Sequence, residues 1–220
     1  MPPAERCESK FVSRCFDLLP RFGQAQMFTV RRSIRRPTAC ERWAKQRQNR
    51  PEFDVGNPAV KSHWQRHVLA ATGYCELGMF DEAARALEEI DAEDKSRKEV
   101  LAARVDVYMA AQKWSLVAEV ARHLVDIEPE NAAWWINLAY ATRRSESIDK
   151  AQALLLQARK LHPDNAIIVF NLSCYACVSG HIEQAKTHLK YAIALDSNIR
   201  ELARRDEDLQ TLWSWIAEST

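Results

Sequence analysis

Two phrases decide how this chain folds: Asp126-Ile127-Glu128-Pro129-Glu130-Asn131 and Lys160-Leu161-His162-Pro163-Asp164-Asn165. They stand 34 residues apart, measured from Pro129 to Pro163. Working outward at that spacing, windows beginning at 64, 98, 132 and 166 align column by column with no gap. The seventeenth column reads Phe80, Trp114, Ile148, Ile182, and the twentieth Ala83, Val117, Ala151, Ala185. The twenty-fourth reads Leu87, Ala121, Leu155, Leu189, and the twenty-seventh Ile90, Leu124, Ala158, Ala192. A fixed period of this length is the signature of a stacked-repeat architecture. Small residues in the twentieth and twenty-seventh columns let helices approach closely, and the larger apolar columns fill what remains. Each window reads as a helix pair that hides its apolar stripe only against the next pair, so the array is one continuous core.

Punctuation agrees with that layout. Asn57-Pro58 is a cap followed by proline at the first helical position, which starts the first helix near 58. Ser96, Asn131, Ser147 and Asn165 each precede a helical run as caps, and Gly78 and Gly180 fall at turns between helices. After 199 the period stops. Residues 200–220 set Leu202, Leu209, Leu212, Trp213 and Ile216 among charged groups and read as an amphipathic capping helix over the last pair.

These columns resemble the tetratricopeptide repeat family across units 64–97, 98–131, 132–165 and 166–199. That family places a large residue at position 4, Leu at 7, a small residue at 8, Ala at 20 and 27, and Pro at 32. The third unit matches best, with Trp135, Leu138, Ala139, Ala151, Ala158 and Pro163. The fourth has Leu172, Ser173, Gly180, Ala185 and Ala192, with Ser197 in place of the proline. The second departs at Arg104 and Val117, and the first has Lys95 where proline is expected. The resemblance implies an all-α, right-handed α-solenoid of about four helix pairs plus the capping helix. It also implies a concave groove, lined by the first helix of each unit, that takes an extended peptide or a partner helix.

Carrying the family's groove positions onto this sequence makes Thr72, Asp106, Met109, Ile136, Tyr140, Arg143, Arg144, Phe170 and Cys174 the candidate partner-binding residues. One end of that groove reads acidic, the other aromatic and basic. Tyr140 and Arg143 lie one turn apart, and a rigid aromatic beside an arginine is a pairing enriched at binding hot spots. Two arginines suit an acidic or carboxylate group on a peptide. The competing reading is that Arg143 and Arg144 only complement the end of a helix.

The composition narrows the function classes. With 47% hydrophobic and 28% charged residues the balance is globular, and no apolar run approaches the ~18 residues of a membrane span. The 5 glycines never cluster, so no phosphate-cradling loop is present. The net charge of +1 conceals an asymmetry, because residues 1–60 carry 12 bases against 6 acids. Residues 1–57 read as a basic, flexible segment, with Arg31, Arg32, Arg35, Arg36, Arg42, Lys45, Arg47 and Arg50 close together. The same run, at 30–50, supports an alternative reading as a nucleic-acid or anionic-surface binder. Residues 27–50 are Arg-rich and poor in acids, so organelle import by a presequence stands as the alternative to a cytoplasmic protein.

Catalytic signatures are sparse. Cys174 and Cys177 form a C-x-x-C, but no second pair completes a zinc set, and both fall inside a helix rather than at its start, where a redox thiol is activated. The six histidines show no H-E-x-x-H spacing. The sequence-based expectation is a non-catalytic protein-interaction adaptor with no cofactor or metal. A protein or peptide is its partner.

Overall fold

The computed structural model describes residues 62–218. Four helix pairs run in chain order: His63–Glu76 (α1) with Phe80–Glu88 (α2), Lys98–Ala110 (α3) with Trp114–Ile127 (α4), Ala132–Ser145 (α5) with Ile148–Leu161 (α6), and Ala166–Val178 (α7) with Ile182–Leu195 (α8). Three short pieces follow: Ile199–Ala203 (α9), a 3-10 helix at Glu207–Leu212, and Trp213–Glu218 (α10). Each first helix packs on the second helix of its own unit, and α2, α4 and α6 pack on the first helix of the next. The chain is an all-α repeat solenoid. The expected helix start near 58 and every reading placed on residues 1–57 lie outside the described residues.

The repeat columns are the core. Ala83, Val117, Ala151 and Ala185 are all fully buried, as are the residues of the twenty-fourth and twenty-seventh columns to within a few per cent. Opposite them on the first helices sit Ala71, Val105, Ala139 and Ser173, also buried. Ser173 shows how close the two helices come, since its Oγ donates to the Ala185 carbonyl at 2.8 Å. A bulky pair at that crossing would push the helices apart, and in the second unit Val105 and Val117 fill it, both buried.

Caps form where side chains can accept. Asn131 accepts from the Ala133 N–H, Ser147 from Lys150 and Asn165 from Ile168. Ser96 does not cap. Arg97 takes that place in extended backbone, with no side-chain hydrogen bond to the helix, and Arg97 is instead paired with Asp94. Position 15 of units one and four turns on Gly78 (φ 74°) and Gly180 (φ 81°), which adopt the left-handed conformation without strain.

The closing segment differs from the single amphipathic helix expected. Asp206 adopts extended backbone and accepts from the Asp208 N–H, ending α9's path and starting the 3-10 turn. That bend brings Leu209, Leu212 and Ile216 to near-complete burial, where each contributes roughly 1.5–3 kcal/mol.

Candidate functional site

Helix α7 has the sequence Ala-Ile-Ile-Val-Phe-Asn-Leu-Ser-Cys-Tyr-Ala-Cys-Val. It is apolar on every side, and such a helix needs cover all round. Its own unit and its neighbour α6 cover part of it. The 3-10 segment Glu207–Leu212 packs on it as well. Cys174 Sγ donates toward Asp206 Oδ2 at 3.8 Å, and Cys177 Sγ meets Thr211 Oγ1 at 3.0 Å. Cys174 is a groove position of the fourth unit, and Cys177 lies one turn further along the same helix face, so the chain's own C-terminal segment packs on that surface.

The contact extends to the third unit. Arg143, in the last turn of α5, forks onto both carboxylate oxygens of Asp208, with Nη2 donating to Oδ1 at 2.9 Å. The same guanidinium stands over the Tyr175 ring, 5.1 Å from its centroid. Burial opposes the Arg143 charge, but hydrogen bonds to Asp208 and its negative charge outweigh that, and the guanidinium pKa rises above its usual value. Burial is also the largest influence on the Tyr175 phenol, whose pKa rises despite both arginines nearby.

Asp206 is in the opposite situation. Burial first, then the Asp208 charge, pushes its carboxyl up to about 6, against the pull of the Asp208 N–H, Arg143 and Cys174. The Arg143 guanidinium bonds Asp208 and acts on Asp206 only through its charge. Cys174, Asp206 and Asp208 bring one ligand atom each within 4.8 Å of one another, a spacing a metal could use. Both Asp208 oxygens already serve Arg143, and a cation so close disfavours a second one. Neither Cys174 nor Cys177 is in a disulfide.

Among the candidate groove residues, the structure separates two groups. Thr72 and Asp106, in units one and two, are exposed. Thr72 Oγ1 donates to the Val68 carbonyl at 3.0 Å. Asp106 lies near Cys75 of the preceding unit, where burial and then the Asp106 charge raise the thiol pKa. Met109, Ile136, Tyr140, Phe170 and Cys174 are buried within the core cluster. Arg143 and Arg144 are half-buried and diverge. The aromatic–arginine pair expected between Tyr140 and Arg143 forms between Tyr140 and Arg144, whose guanidinium lies 3.5 Å from the ring centroid. Arg144 also covers Trp114, and Trp114 meets Tyr140 edge-on at 5.7 Å. Leu209 was expected in the closing helix, but Asp206, Asp208 and Thr211 were not among the candidate site residues. The available signal was the all-round apolarity of α7, which requires a cover that the repeats alone do not provide.

No described helix is long and apolar enough to cross a membrane. No family profile matches the sequence, and no curated protein does. Solved structures do match. A crystal structure of MamA protein superposes with a TM-score of 0.58 at 16% identity, over 71% of this chain and 87% of that one. Another MamA crystal structure gives 0.55 at 17% identity, over 67% and 88%. A thermophilic tetratricopeptide protein of Thermus thermophilus gives 0.51 at 20% identity, over 69% and 82%. The repeat columns, the helix pairs and these superpositions agree that the fold of this chain is a tetratricopeptide-like helical repeat.

Proposed function

We propose that this protein is a non-catalytic interaction adaptor whose concave face takes a peptide or a partner helix. One observation carries the reading: the groove positions of units three and four already hold a short acidic, leucine-bearing segment of the chain itself, through Arg143 and the α7 surface. A helical-repeat surface that accommodates a segment this way in cis has the chemistry to accommodate one in trans. Backbone turns, a carboxylate on an arginine and leucines on an apolar helix are the elements of peptide-in-groove recognition. Units one and two keep the groove positions Thr72 and Asp106 exposed, which gives a partner an entry on the same face.

The test compares the two faces of the array. The full chain is immobilised and bound proteins are quantified by mass spectrometry for three versions: wild type, Thr72→Arg with Asp106→Arg, and Glu119→Arg on exposed α4. The groove pair should lose tenfold or more of a specific captured protein, equivalent to about 1.4 kcal/mol. Glu119→Arg should lose none. Equal losses, or losses in neither, would remove the concave face from the account.

A further inference from the structure

We propose that residues 206–212 form a displaceable latch, and that the surface beneath it accepts in trans a segment of the same chemistry: an acidic residue immediately before a leucine, with a second leucine three positions on. This inference rests on the concave-face reading above and deepens it by naming the kind of partner.

Three features of the segment separate it from an ordinary closing helix. Its tie to the third unit is the ion pair of Arg143 with Asp208, and Tyr175 of the fourth unit's first helix lies under the Arg143 guanidinium. The contact spans 65 residues of sequence and joins groove position 12 of α5 to the C-terminal segment. The segment is a six-residue 3-10 helix, a form whose hydrogen bonds are poorer than those of an α-helix and which is seldom sustained for that length. Its polar arrangement is also unbalanced. Arg143 forks onto Asp208, whereas Asp206 accepts from the Asp208 N–H and the Cys174 thiol, so of the two carboxylates the more buried one has the weaker partners.

What holds it down is equally definite. Leu209 and Leu212 are buried and stand three apart, one above the other on the 3-10 turn, with Asp208 immediately before the first. An arginine that accepts one carboxylate in a fork, beside an apolar helix surface that accepts two leucines, selects any short segment with that spacing. A peptide carrying the pattern without a second buried acid would bind the same surface with less electrostatic opposition than the latch itself.

The cysteines report the latch directly. Cys174 and Cys177 lie under it at 1% and 6% exposure, while Cys75 is half-buried elsewhere in the array and serves as an internal reference. The experiment uses the full chain and Asp208→Asn, which keeps the side-chain shape but removes the charge that Arg143 holds. Maleimide labelling at each cysteine is followed by mass spectrometry, and circular dichroism confirms that helical content is kept. Asp208→Ala is the second variant if the amide disturbs the turn. Labelling of Cys174 and Cys177 should accelerate at least tenfold with no change at Cys75. A fluorescent peptide spanning residues 204–218 of this sequence, with Asp206 replaced by Asn, should bind Asp208→Asn at least tenfold more tightly than wild type. Adding Arg143→Ala to Asp208→Asn should abolish that binding.

Labelling that keeps pace with global unfolding in every version would mean the segment is a fixed cap, and the latch is overturned. Accelerated labelling without peptide binding would mean the exposed surface takes nothing in trans, which overturns the second half. Failure of the Thr72 and Asp106 variant, by contrast, bears on the groove of units one and two and leaves these two readouts unaffected.

Discussion

The first helices of units one and three occupy the same place in the repeat and meet opposite fates. Helix α1 buries Ala71 alone, whereas α5 buries an unbroken run from Trp134 to Thr142. Both obey one repeat template, so the template does not set the burial. Neighbours do. Helix α5 has α4 packed before it and α6 after it, its Arg143 stands over Tyr175 of α7, and its last turn is tied to Asp208. Among the described residues the main packing partners of α1 are α2 and α3, and Leu69, Leu77 and Met79 are exposed there. In a solenoid each unit's stability is its own plus that of its interfaces, so ends are weak unless something covers them. The C-terminal end is covered by residues 206–216. The comparison teaches that the two ends should respond differently to the same kind of damage.

The largest expected difference comes from removing one leucine at each end. Leu209 is fully buried between the 3-10 turn and α7, while Leu77 is 73% exposed. Leu209→Ala should cost about 2–4 kcal/mol, the lost transfer free energy plus a cavity under the closing segment. Leu77→Ala should stay within about 0.5 kcal/mol. Urea unfolding followed by circular dichroism measures both. Similar midpoints for the two variants would break the distinction between a closed and an open end.

The second expectation concerns pH and the closed end only. The Asp206 carboxyl has a folded pKa of about 6 against 3.8 for the ordinary group, so folding favours its protonated form. The stabilisation from that protonation is complete below about 3.8, declines as pH rises through the interval to 6, and is gone above it. Other carboxylates work in the reverse sense: Glu88, Glu128 and Glu146 are held below their usual range, with Lys or Arg partners opposing any burial. Total stability therefore mixes both trends, and a difference measurement isolates Asp206. Asp206→Asn should be more stable than wild type at pH 7.5, by about 1–2 kcal/mol, because it removes a poorly compensated buried charge. That advantage should shrink steadily between pH 6.5 and 5. A constant offset across the range would show that the closed end carries no such penalty.

Much of this was readable from the residues, and the part that was not has a physical reason. The columns of Ala, Leu and Ile fixed the helix pairs because each unit solves the same local packing problem, and a local problem leaves a periodic trace. The caps at Asn131, Ser147 and Asn165 were readable for the same reason. Ser96 was misread, since a serine before a helical run does not reveal whether the chain will place the cap one residue later, at Arg97. The groove residues were the least legible. Their spacing puts them on one face, but burial of Cys174 and the partner of Arg143 depend on a segment 32 to 65 residues away that follows no period. The hint lay in the composition of α7. A first helix with Phe170, Cys174 and Cys177 on one face and Ile168, Leu172 and Tyr175 on another has no face suited to water, and residues 200–220, read only as a cap over the last pair, carry the leucines that meet it.

The smallest expected effect tests whether the two halves share one turn. Units one, two and four close their first helix with the same pair of hydrogen bonds. Gly78 N–H donates to Cys75 and Met79 N–H to Tyr74; Gln112 to Met109 and Lys113 to Tyr108; Gly180 to Cys177 and His181 to Ala176. This is the Schellman arrangement, which requires a left-handed residue at the turn. Units one and four supply glycine, while unit two supplies Gln112 at φ 57°. Unit three avoids the requirement, since Glu146 sits at φ −130° and its N–H donates to Thr142, with α5 one residue longer than α3. A side chain in the left-handed region costs about 1–2 kcal/mol, and glycine gives back roughly 0.5–1 kcal/mol through the entropy of the unfolded chain. Gln112→Gly should therefore stabilise by about 0.5 kcal/mol, a rise of roughly 1–2 °C in melting temperature for a chain of this size. Glu146→Gly should give no such gain, because nothing at that turn is left-handed. A calorimetric comparison of the two variants decides it: if both raise the melting temperature equally, the shared turn geometry of units one, two and four is not what separates Gln112 from Glu146.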